Sequence, residues 1–381
     1  MRKILSVIVV VVVTLTQTAQ ITAFAQETDK PAVNAQACVL YCVDDGKVYF
    51  SVNENKKMKP ASTTKLMTSL ITLEYADSAD KVVAFTKDMT AEGSSMYLKV
   101  GEKVKLSDLA AGMMMASGND AANAAAISIA GSAEKFSELM NNRAAVIGMK
   151  NTHFVTPSGL DDENHYSTAY DMALLMSYAL ENESFAKLTS QKSVTVEFSE
   201  PQSKRTTYTN HNRLLSMYEY CTGGKTGYTM AAGRCLVSSA KKDGLTFVCV
   251  TLNDRNDWND HIALYNYGFS KLACVECDDS DYYLEIPCVG GDDESIGVTG
   301  TKGKNVVVPF DKKSNVVRTA YADNFLYAPV KDGDIVGRIE YTLDGKTLAS
   351  TNLTAVEYSN TQNKNKSIWT KIKDFFTYGK E

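Results

Sequence analysis

Residues 59–68 read KPASTTKLMT, so a proline and three hydroxyl side chains stand ahead of a lysine and an apolar run. Leucines follow at helical spacing, which predicts a helix that begins close to Ser62, capped by Ser62 or Thr63. Ser62 and Lys65 are three residues apart, about one helical turn, so we expect their side chains to meet on one face. A serine is a good nucleophile only when a base takes its proton, and a lysine is such a base only where its surroundings keep it neutral.

The elements around this helix predict an antiparallel sheet beside a helical lobe. Residues 37–50 are expected to form two short strands around a DDGK turn. The middle of the chain is rich in alanine and methionine and predicts buried helices, two of which are separated at residues 117–120. Later runs predict strands over residues 225–229, 234–240 and 245–252. The N-terminal hairpin should pair with these late strands, which makes the first domain an α/β (α+β) fold.

An amphipathic helix is predicted after the last of these strands, over residues 256–272. Its apolar stripe consists of Trp258, Ile262, Tyr265 and Phe269. We expect this stripe to lie on the sheet, because an apolar helix face is stable only when another element covers it.

The 381 residues are expected to form two domains between two terminal segments. Residues 1–25 have the basic start, apolar run and Ala-x-Ala end of a secretory signal peptide, and residues 26–277 form the first domain. Residues 278–360 contain short β runs between turn signals, which predict a small all-β domain. Residues 361–381 place apolar side chains on one helical side and lysines elsewhere, which predicts an amphipathic membrane-associating helix; docking on the β domain is the alternative.

The composition is that of an ordinary soluble protein, with 44% hydrophobic residues, 22% charged residues and a net charge of -5. The sequence has no basic tract, so we expect no nucleic acid partner. Cys38 and Cys42 would lie about 13 Å apart on one strand, too far to bridge, and most of the eight cysteines are expected to be buried thiols. The four histidines show no ligand spacing, so neither a metal nor another cofactor is predicted.

Two further motifs accompany the S-x-x-K pair. Residues 117–119 read SGN in the break between two buried helices, where a hydroxyl and an amide are expected to project into a cleft. Residues 225–227 read KTG at a strand start, where Lys225 and Thr226 offer donors to a carboxylate and the glycine lets a ligand approach the backbone. Each motif alone also fits helix caps or strand ends. The ordered set S-x-x-K, S-x-N, K-T-G is typical of penicillin-binding proteins and class A β-lactamases.

The chain resembles the low-molecular-mass penicillin-binding proteins of the D-alanyl-D-alanine carboxypeptidase family. The resemblance rests on residues 59–68, 116–122 (ASGNDAA), 156–160 (TPSGL) and 224–229 (GKTGYT). It covers nearly the whole chain and implies a penicillin-binding/β-lactamase-like catalytic domain, a β domain and a C-terminal amphipathic anchor. The implied substrate is a peptidoglycan stem peptide that ends in D-Ala-D-Ala, with β-lactam antibiotics as its mimics. The implied location is outside the cytoplasm, at the outer face of the membrane and in the cell wall.

The resemblance also implies roles for the residues of the first two motifs. Ser62 would attack the carbonyl between the two D-alanines to give an acyl-enzyme, and Lys65 would accept the proton of Ser62. Ser117 would relay a proton to the leaving amine. Asn119 would hold the peptide backbone of the substrate.

The third motif would hold the terminal D-alanine, which is the leaving group. Lys225 and Thr226 would receive the terminal carboxylate, and Gly227 would let the substrate approach the strand. The backbone N–H groups of Ser62 and Tyr228 would form the oxyanion hole, in which preorganised donors stabilise the negative charge of the transition state.

Three alternatives stay open. A class A β-lactamase shares the motifs but deacylates with a glutamate, in that family within an E-x-x-L-N stretch, which this sequence lacks between its second and third motifs. A D,D-endopeptidase would use the same site on a D-alanine that is linked to another peptide. A peptidoglycan- or β-lactam-binding module with little turnover would keep the fold, but intact Ser62, Lys65 and Lys225 argue against it.

Overall fold

The computed structural model describes residues 30–356, so the predicted signal peptide and the predicted C-terminal amphipathic helix lie outside the described residues. By its internal contacts the chain divides into two compact units after Ser270. The sequence-based boundary is seven residues later, and the contact-based boundary is earlier because Leu272–Val275 pairs with Val306–Pro309 in the second unit. Within residues 30–356, no helix has the length and apolar character needed to cross a membrane.

The first unit combines strands and helices. Its strands, in chain order, are β1 (Ala37–Cys42), β2 (Lys47–Val52), β3 (Val82–Ala84), β4 (Lys103–Lys105), β5 (Ser193–Glu197), β6 (Arg205–Thr209), β7 (Cys221–Thr229), β8 (Gly233–Lys242) and β9 (Leu245–Leu252). Its helices are α1 (Lys65–Ser78), α2 (Leu106–Met115), α3 (Asn119–Ala130), α4 (Ala133–Ile147), α5 (Ala169–Ala179), α6 (Glu183–Thr189), α7 (Leu214–Met217) and α8 (Asp257–Lys271).

The main sheet of this unit is antiparallel, with strand order β2-β1-β9-β8-β7. The N-terminal hairpin pairs with the last strand of the unit, in a register that runs from Ala37 opposite Leu252 to Cys42 opposite Phe247. This pairing confirms the expected sheet. β7 is an edge strand because its sheet partner is β8 alone, so one row of its backbone groups is open to a ligand.

The helical lobe packs on one face of this sheet. The predicted break between buried helices is confirmed, because α2 ends at Met115 and α3 begins at Asn119. Small and flexible side chains let these helices pack closely. The methionines of α2 and all the alanines of α3 except Ala130 are almost completely buried. The two small hairpins, β3 with β4 and β5 with β6, are not part of the predicted fold.

The predicted cap of α1 is wrong. Residues Ala61–Thr64 form a 3-10 turn ahead of α1, and neither Ser62 nor Thr63 caps the helix with its side chain. Thr63 Oγ1 instead donates a hydrogen bond to the carbonyl of Pro60, at 2.6 Å. A 3-10 turn has three residues per turn, so it aligns residues i and i+3 more closely than an α-helix does.

The predicted stripe of α8 is only partly right. Tyr265 is buried, but Trp258, Ile262 and Phe269 are only half-buried, and the fully buried positions include His261. A buried imidazole is stable here because both of its ring nitrogens have partners. Nδ1 lies 2.7 Å from Ser238 Oγ and Nε2 lies 3.1 Å from Thr251 Oγ1, which a hydropathy pattern does not reveal.

The second unit is a β domain, as expected. Its strands are β10 (Leu272–Val275), β11 (Tyr283–Val289), β12 (Ser295–Gly300), β13 (Val306–Pro309), β14 (Val317–Ala322), β15 (Leu326–Tyr327), β16 (Ile335–Leu343) and β17 (Lys346–Val356). Six of them form one sheet with order β14-β16-β17-β12-β11-β15. A buried carboxylate, Asp279, ties this unit together by accepting hydrogen bonds from Arg318 Nε at 2.6 Å and from the Tyr341 hydroxyl at 2.8 Å.

The eight cysteines all fall within the described residues, and none of them forms a disulfide there. Six are buried, which agrees with the expectation of buried thiols. Burial raises the pKa of the Cys38 and Cys235 thiols to about 12, so both are expected to stay protonated and unreactive near neutral pH.

Candidate active site

Ser62 and Lys65 meet at the start of α1. The ammonium nitrogen of Lys65 lies 2.9 Å from Ser62 Oγ, so the expected contact between the two side chains exists. Ser62 is held in the turn by its neighbour Ala61, which has a left-handed backbone with φ of 48°. Such a conformation is uncommon in a residue other than glycine and is typical of places where the surrounding structure fixes a functional side chain.

The Lys65 side chain is completely buried and fully hydrogen-bonded. Besides Ser62, its Nζ contacts Asn119 Oδ1 and the Ser158 carbonyl oxygen, each at 2.7 Å. Burial lowers the pKa of Lys65 well below its usual value, and the charge of Lys225 lowers it further, while Asp120 acts in the opposite direction. A lysine in these surroundings can be neutral near neutral pH and can accept a proton from Ser62.

Ser117 and Lys225 form a second polar pair on the same side of the cleft. Lys225 Nζ lies 3.1 Å from Ser117 Oγ and donates to the carbonyl of Thr226 at 2.7 Å. Burial lowers the pKa of Lys225 to about 7. Ser117 has a left-handed backbone with φ of 57°, which turns the chain sharply between α2 and α3.

Asn119 has a different position from the one its predicted role suggests. Its side chain is only 4% exposed, and its Nδ2 donates to the Glu92 carbonyl at 2.6 Å while its Oδ1 accepts from Lys65. The amide therefore holds Lys65 in place. Little of it is available to contact a substrate backbone.

Asp120 is a buried carboxylate for which no site role was predicted. Its oxygens accept hydrogen bonds from the Met96 and Leu98 backbone N–H groups, at 2.8 and 3.1 Å, and from the Ser95 hydroxyl at 2.7 Å. It thereby fixes the segment from Ser94 onward beside the cleft. The only signal in the sequence was an acidic residue directly after the SGN motif.

The KTG motif brings β7 directly against the 3-10 turn. A Cβ atom added to Gly227 would lie 2.9 Å from the Ser62 nitrogen and 3.0 Å from the Pro60 carbonyl oxygen. Any larger residue would therefore displace the turn that carries Ser62. The side chain of Tyr228 is 61% exposed. Because Tyr228 directly follows Gly227, its backbone is the part that lies near Ser62.

The TPSGL segment supports the turn from the other side. Thr68 Oγ1 donates to the Pro157 carbonyl at 2.6 Å, and Gly159, with φ of 82°, passes so close to Ala61 that a Cβ there would lie 2.0 Å from the Ala61 carbonyl oxygen. Only glycine fits this position. The segment thus supplies the Ser158 carbonyl that holds Lys65.

His165 is a further buried group that the sequence did not single out. Its Nδ1 accepts hydrogen bonds from the Val155 and Thr156 backbone N–H groups, at 3.0 and 3.3 Å, so its proton must be on Nε2. Nε2 therefore donates to Thr64 Oγ1, 2.9 Å away. Burial lowers the pKa of His165 to about 4, so this histidine is a neutral support of the turn.

A cleft of about 510 Å³ joins these groups to solvent. Five of the predicted site residues line it, namely Ser62, Ser117, Thr226, Gly227 and Tyr228. The residues that sequence reasoning missed are Ser94, His211, Arg234, Cys235, Asp257 and Trp258. Burial and the charge of Lys225 lower the pKa of His211, so its neutral form is favoured.

A serine held against a buried lysine, beside the free edge strand of an antiparallel sheet, defines a serine acyl-transfer enzyme of the S-x-x-K type. Comparison with known families narrows this class. The family model described as D-alanyl-D-alanine carboxypeptidase matches residues 24–256, and the model for the penicillin-binding protein 5 C-terminal domain matches residues 278–359. The chain belongs to the D-alanyl-D-alanine carboxypeptidase family.

Individual relatives agree with this assignment. The chain is 32% identical over 372 residues to the D-alanyl-D-alanine carboxypeptidase DacF of Bacillus subtilis, with 94% of each chain covered. It is 34% identical over 362 residues to DacC of Escherichia coli, covering 88% of this chain and 87% of the relative. Among solved structures, penicillin binding protein 5 of Haemophilus influenzae superposes with a TM-score of 0.65 at 29% identity, over 87% of this chain and 99% of the other.

Proposed function

We propose that this chain is a serine-type D-Ala-D-Ala carboxypeptidase that removes the terminal D-alanine from peptidoglycan stem peptides through an acyl-enzyme on Ser62. The observation that carries the proposal is the position of the buried Lys65 Nζ, which lies 2.9 Å from Ser62 Oγ and has no carboxylate in direct contact among the described residues. Burial lowers the pKa of Lys65, which favours the neutral form that can accept the Ser62 proton.

In the first half of the reaction, Ser62 Oγ bonds to the carbonyl carbon of the penultimate D-alanine and its proton passes to neutral Lys65. The bond from that carbon to the nitrogen of the terminal D-alanine then breaks. The leaving nitrogen takes a proton from Ser117 Oγ, and Lys225, 3.1 Å away, replaces it. Lys65 gains one proton and Lys225 loses one, so the total charge of the two buried lysines stays the same. No additional charge is therefore buried, and the free-energy cost of desolvating such a charge is avoided.

The second half is hydrolysis of the ester. Water attacks the same carbon and gives up one proton, through Ser117 Oγ, to the neutral Lys225. The bond to Ser62 Oγ breaks, and this oxygen recovers its proton from Lys65. The products are the shortened stem peptide and the free enzyme. No metal or other cofactor takes part in these steps.

Backbone and side-chain donors along β7 orient the substrate. The N–H groups of Ser62 and Tyr228 are proposed as the oxyanion hole, and donors of this kind contribute about 3 to 4 kcal/mol each in other acyl-transfer enzymes. The position of Gly227 against the Ser62 nitrogen supports this assignment. Thr226 lines the cleft, and its hydroxyl is proposed to bind the terminal carboxylate.

We also propose the setting in which this activity operates. The signal-like residues 1–25 support export, so the enzyme would act at the outer face of the membrane and in the cell wall. The amphipathic pattern of residues 361–381 supports attachment to the membrane surface. β-Lactams would acylate Ser62 because they mimic the D-Ala-D-Ala amide.

The function is tested by measuring free D-alanine released from a short peptide that ends in D-Ala-D-Ala. We expect one D-alanine per peptide. If folded protein releases none from this peptide but cleaves a cross-linked peptide dimer, the activity is that of a D,D-endopeptidase. If it cleaves neither and still binds penicillin covalently, the chain is a binding module, and the carboxypeptidase proposal is wrong.

A further inference from the structure

Asp120 is a buried acidic residue that directly follows Asn119, whose amide contacts Lys65. It is only 3% exposed, and all the partners of its two oxygens are neutral donors. These donors are the backbone N–H groups of Met96, Leu98 and Ala121, at 2.8, 3.1 and 2.9 Å, and the Ser95 hydroxyl at 2.7 Å. The ionised form suits this set, because a carboxylic acid would bring one more proton to a place where every partner already donates. A negative charge that no contacting cation cancels is therefore buried beside the cleft.

The charge of Asp120 acts unequally on the two lysines of the site. Burial lowers the pKa of Lys65, the charge of Lys225 lowers it further, and the charge of Asp120 raises it. For Lys225, burial alone lowers the pKa to about 7. Asp120 therefore favours a positive charge on Lys65 over the same charge on Lys225.

Tyr208 and His211 also face this group of charges. Burial raises the pKa of the Tyr208 hydroxyl to about 12, and the charge of Asp120 acts in the same direction. Burial and the charge of Lys225 lower the pKa of His211. Both side chains are therefore expected to be neutral near neutral pH. The charge balance of the buried site then depends on Lys65, Lys225 and Asp120.

The proposed acylation moves a positive charge from one lysine to the other. Lys65 takes the proton of Ser62 and becomes charged. Lys225 passes a proton through Ser117 to the leaving nitrogen and becomes neutral. A negative charge that acts on Lys65 stabilises the second arrangement relative to the first. An interaction that is stronger in the transition state than in the free enzyme accelerates the chemical step.

We propose that Asp120 is a positioning residue that acts through Lys65, because its buried carboxylate stabilises the positive charge that Lys65 acquires with the Ser62 proton. This inference rests on the proposed function, in which Lys65 is the base. Among the described residues, no carboxylate is in direct contact with Lys65. Asp120 therefore supports the charged lysine during the reaction without the close ion pair that would keep the lysine protonated beforehand.

The test is the pH dependence of the rate at which a fluorescent penicillin acylates Ser62, measured for the wild type and Asp120→Asn. Two changes are expected together. The plateau rate should fall by about threefold to tenfold, because Lys65 becomes a weaker base. The acid limb should move to lower pH by about one unit, because Lys65 loses its proton more readily without the carboxylate. A purely structural role of Asp120 would lower the plateau and leave the acid limb in place.

Matched variants separate the charge of Asp120 from its hydrogen bonds. Ser95→Ala removes the hydroxyl partner of Asp120 but keeps the charge, so the acid limb should not move. Asp171→Asn removes another buried carboxylate, which accepts from the Thr152 hydroxyl and the Asn151 N–H at 2.7 Å each. This exchange should lower the thermal midpoint and leave the acid limb unchanged. Asp120→Ser is a second variant without the charge, and thermal midpoints show which variants are folded.

Release of D-alanine from a peptide that ends in D-Ala-D-Ala is measured on the same proteins. An acid limb that stays in place or moves to higher pH in folded Asp120→Asn or Asp120→Ser would overturn the inference, even if D-alanine release is normal in the wild type. A shift to lower pH that Asp171→Asn reproduces would overturn it as well. The expected shift in penicillin acylation, without D-alanine release by the wild type, would support the inference and overturn the carboxypeptidase proposal alone.

Discussion

The side-chain oxygen of Asn119 lies 2.7 Å from the ammonium nitrogen of Lys65, and this contact joins the second motif to the first across 54 residues of chain. The amide oxygen is neutral, so it positions the lysine without adding the negative charge that would keep it protonated.

Asn119→Asp should move the acid limb of the kcat/KM profile to higher pH. A carboxylate beside Lys65 favours the charged lysine and so raises its pKa, and a larger fraction of the enzyme then lacks a neutral base at any given pH. Asn123→Asp adds the same charge one turn further along α3 and should leave the profile almost unchanged. An acid limb that stays in place in Asn119→Asp contradicts the role of Lys65 as the base.

Gly227→Ala should lower kcat/KM by about a hundredfold or more, the range expected when an oxyanion donor is lost. The added Cβ would lie 2.9 Å from the Ser62 nitrogen, so β7 or the 3-10 turn must shift. Steady-state kinetics and a thermal unfolding curve measure the two effects separately. Gly291→Ala, the same exchange in the second unit, should change neither kinetic constant, and wild-type kinetics in Gly227→Ala would refute the proposed oxyanion hole.

The protein should lose stability as the pH falls from 6.5 to about 4, in part because of His165. The pKa of His165 is lowered in the folded state, so in this window the unfolded chain binds a proton that the folded protein does not. The stabilisation is fully present above pH 6.5 and is lost on acidification, by about 3 kcal/mol for this group.

Urea unfolding at several pH values measures the effect. His165→Gln should flatten the pH dependence of the free energy of unfolding, although His261, with its pKa lowered to about 3, continues to contribute in the same direction. His153→Gln, an exchange at an exposed histidine, should change the slope much less, because the charge of His153 lowers the pKa of His165 less than burial does. A wild-type slope in His165→Gln would show that His165 is not a neutral buried support.

Truncation after Thr361 should release a soluble and active enzyme from membranes. The removed residues carry the apolar stripe and the lysines that are expected to bind an anionic surface. Flotation with anionic vesicles compares the full chain with the truncated one. Equal membrane association of both would rule out the anchor, and loss of D-alanine release on truncation would favour docking on the protein instead.

Much of the fold could be predicted from local sequence patterns. β9 has the predicted bounds, and the break before Asn119 follows from a small polar stretch between apolar helices. β7 begins at Cys221, four residues earlier than predicted. The prediction was too short because the paired glycines at its start have a low strand propensity, which the tertiary structure overrides. The small hairpins and several strands of the β domain were not predicted, because their sequences lack a clear alternation of apolar and polar residues.

The candidate site was predictable as a set of residues but not as a set of contacts. The spacing of Ser62 and Lys65 predicts their meeting because both belong to one turn. The Asn119 contact with Lys65, the support from His165 and the Arg234 ion pair with Asp257 all join elements that are distant in sequence. They depend on tertiary packing that no local pattern encodes.

The most direct test of the account is the mass of the intact protein before and after incubation with penicillin, for the wild type and for Ser62→Ala. We expect the intact wild type to gain the mass of one penicillin molecule and Ser62→Ala to gain none. Masses of the proteolytic peptides should place the adduct on the peptide that contains Ser62. An adduct on correctly folded Ser62→Ala, or on another residue of the wild type, would contradict the assignment of Ser62 as the nucleophile.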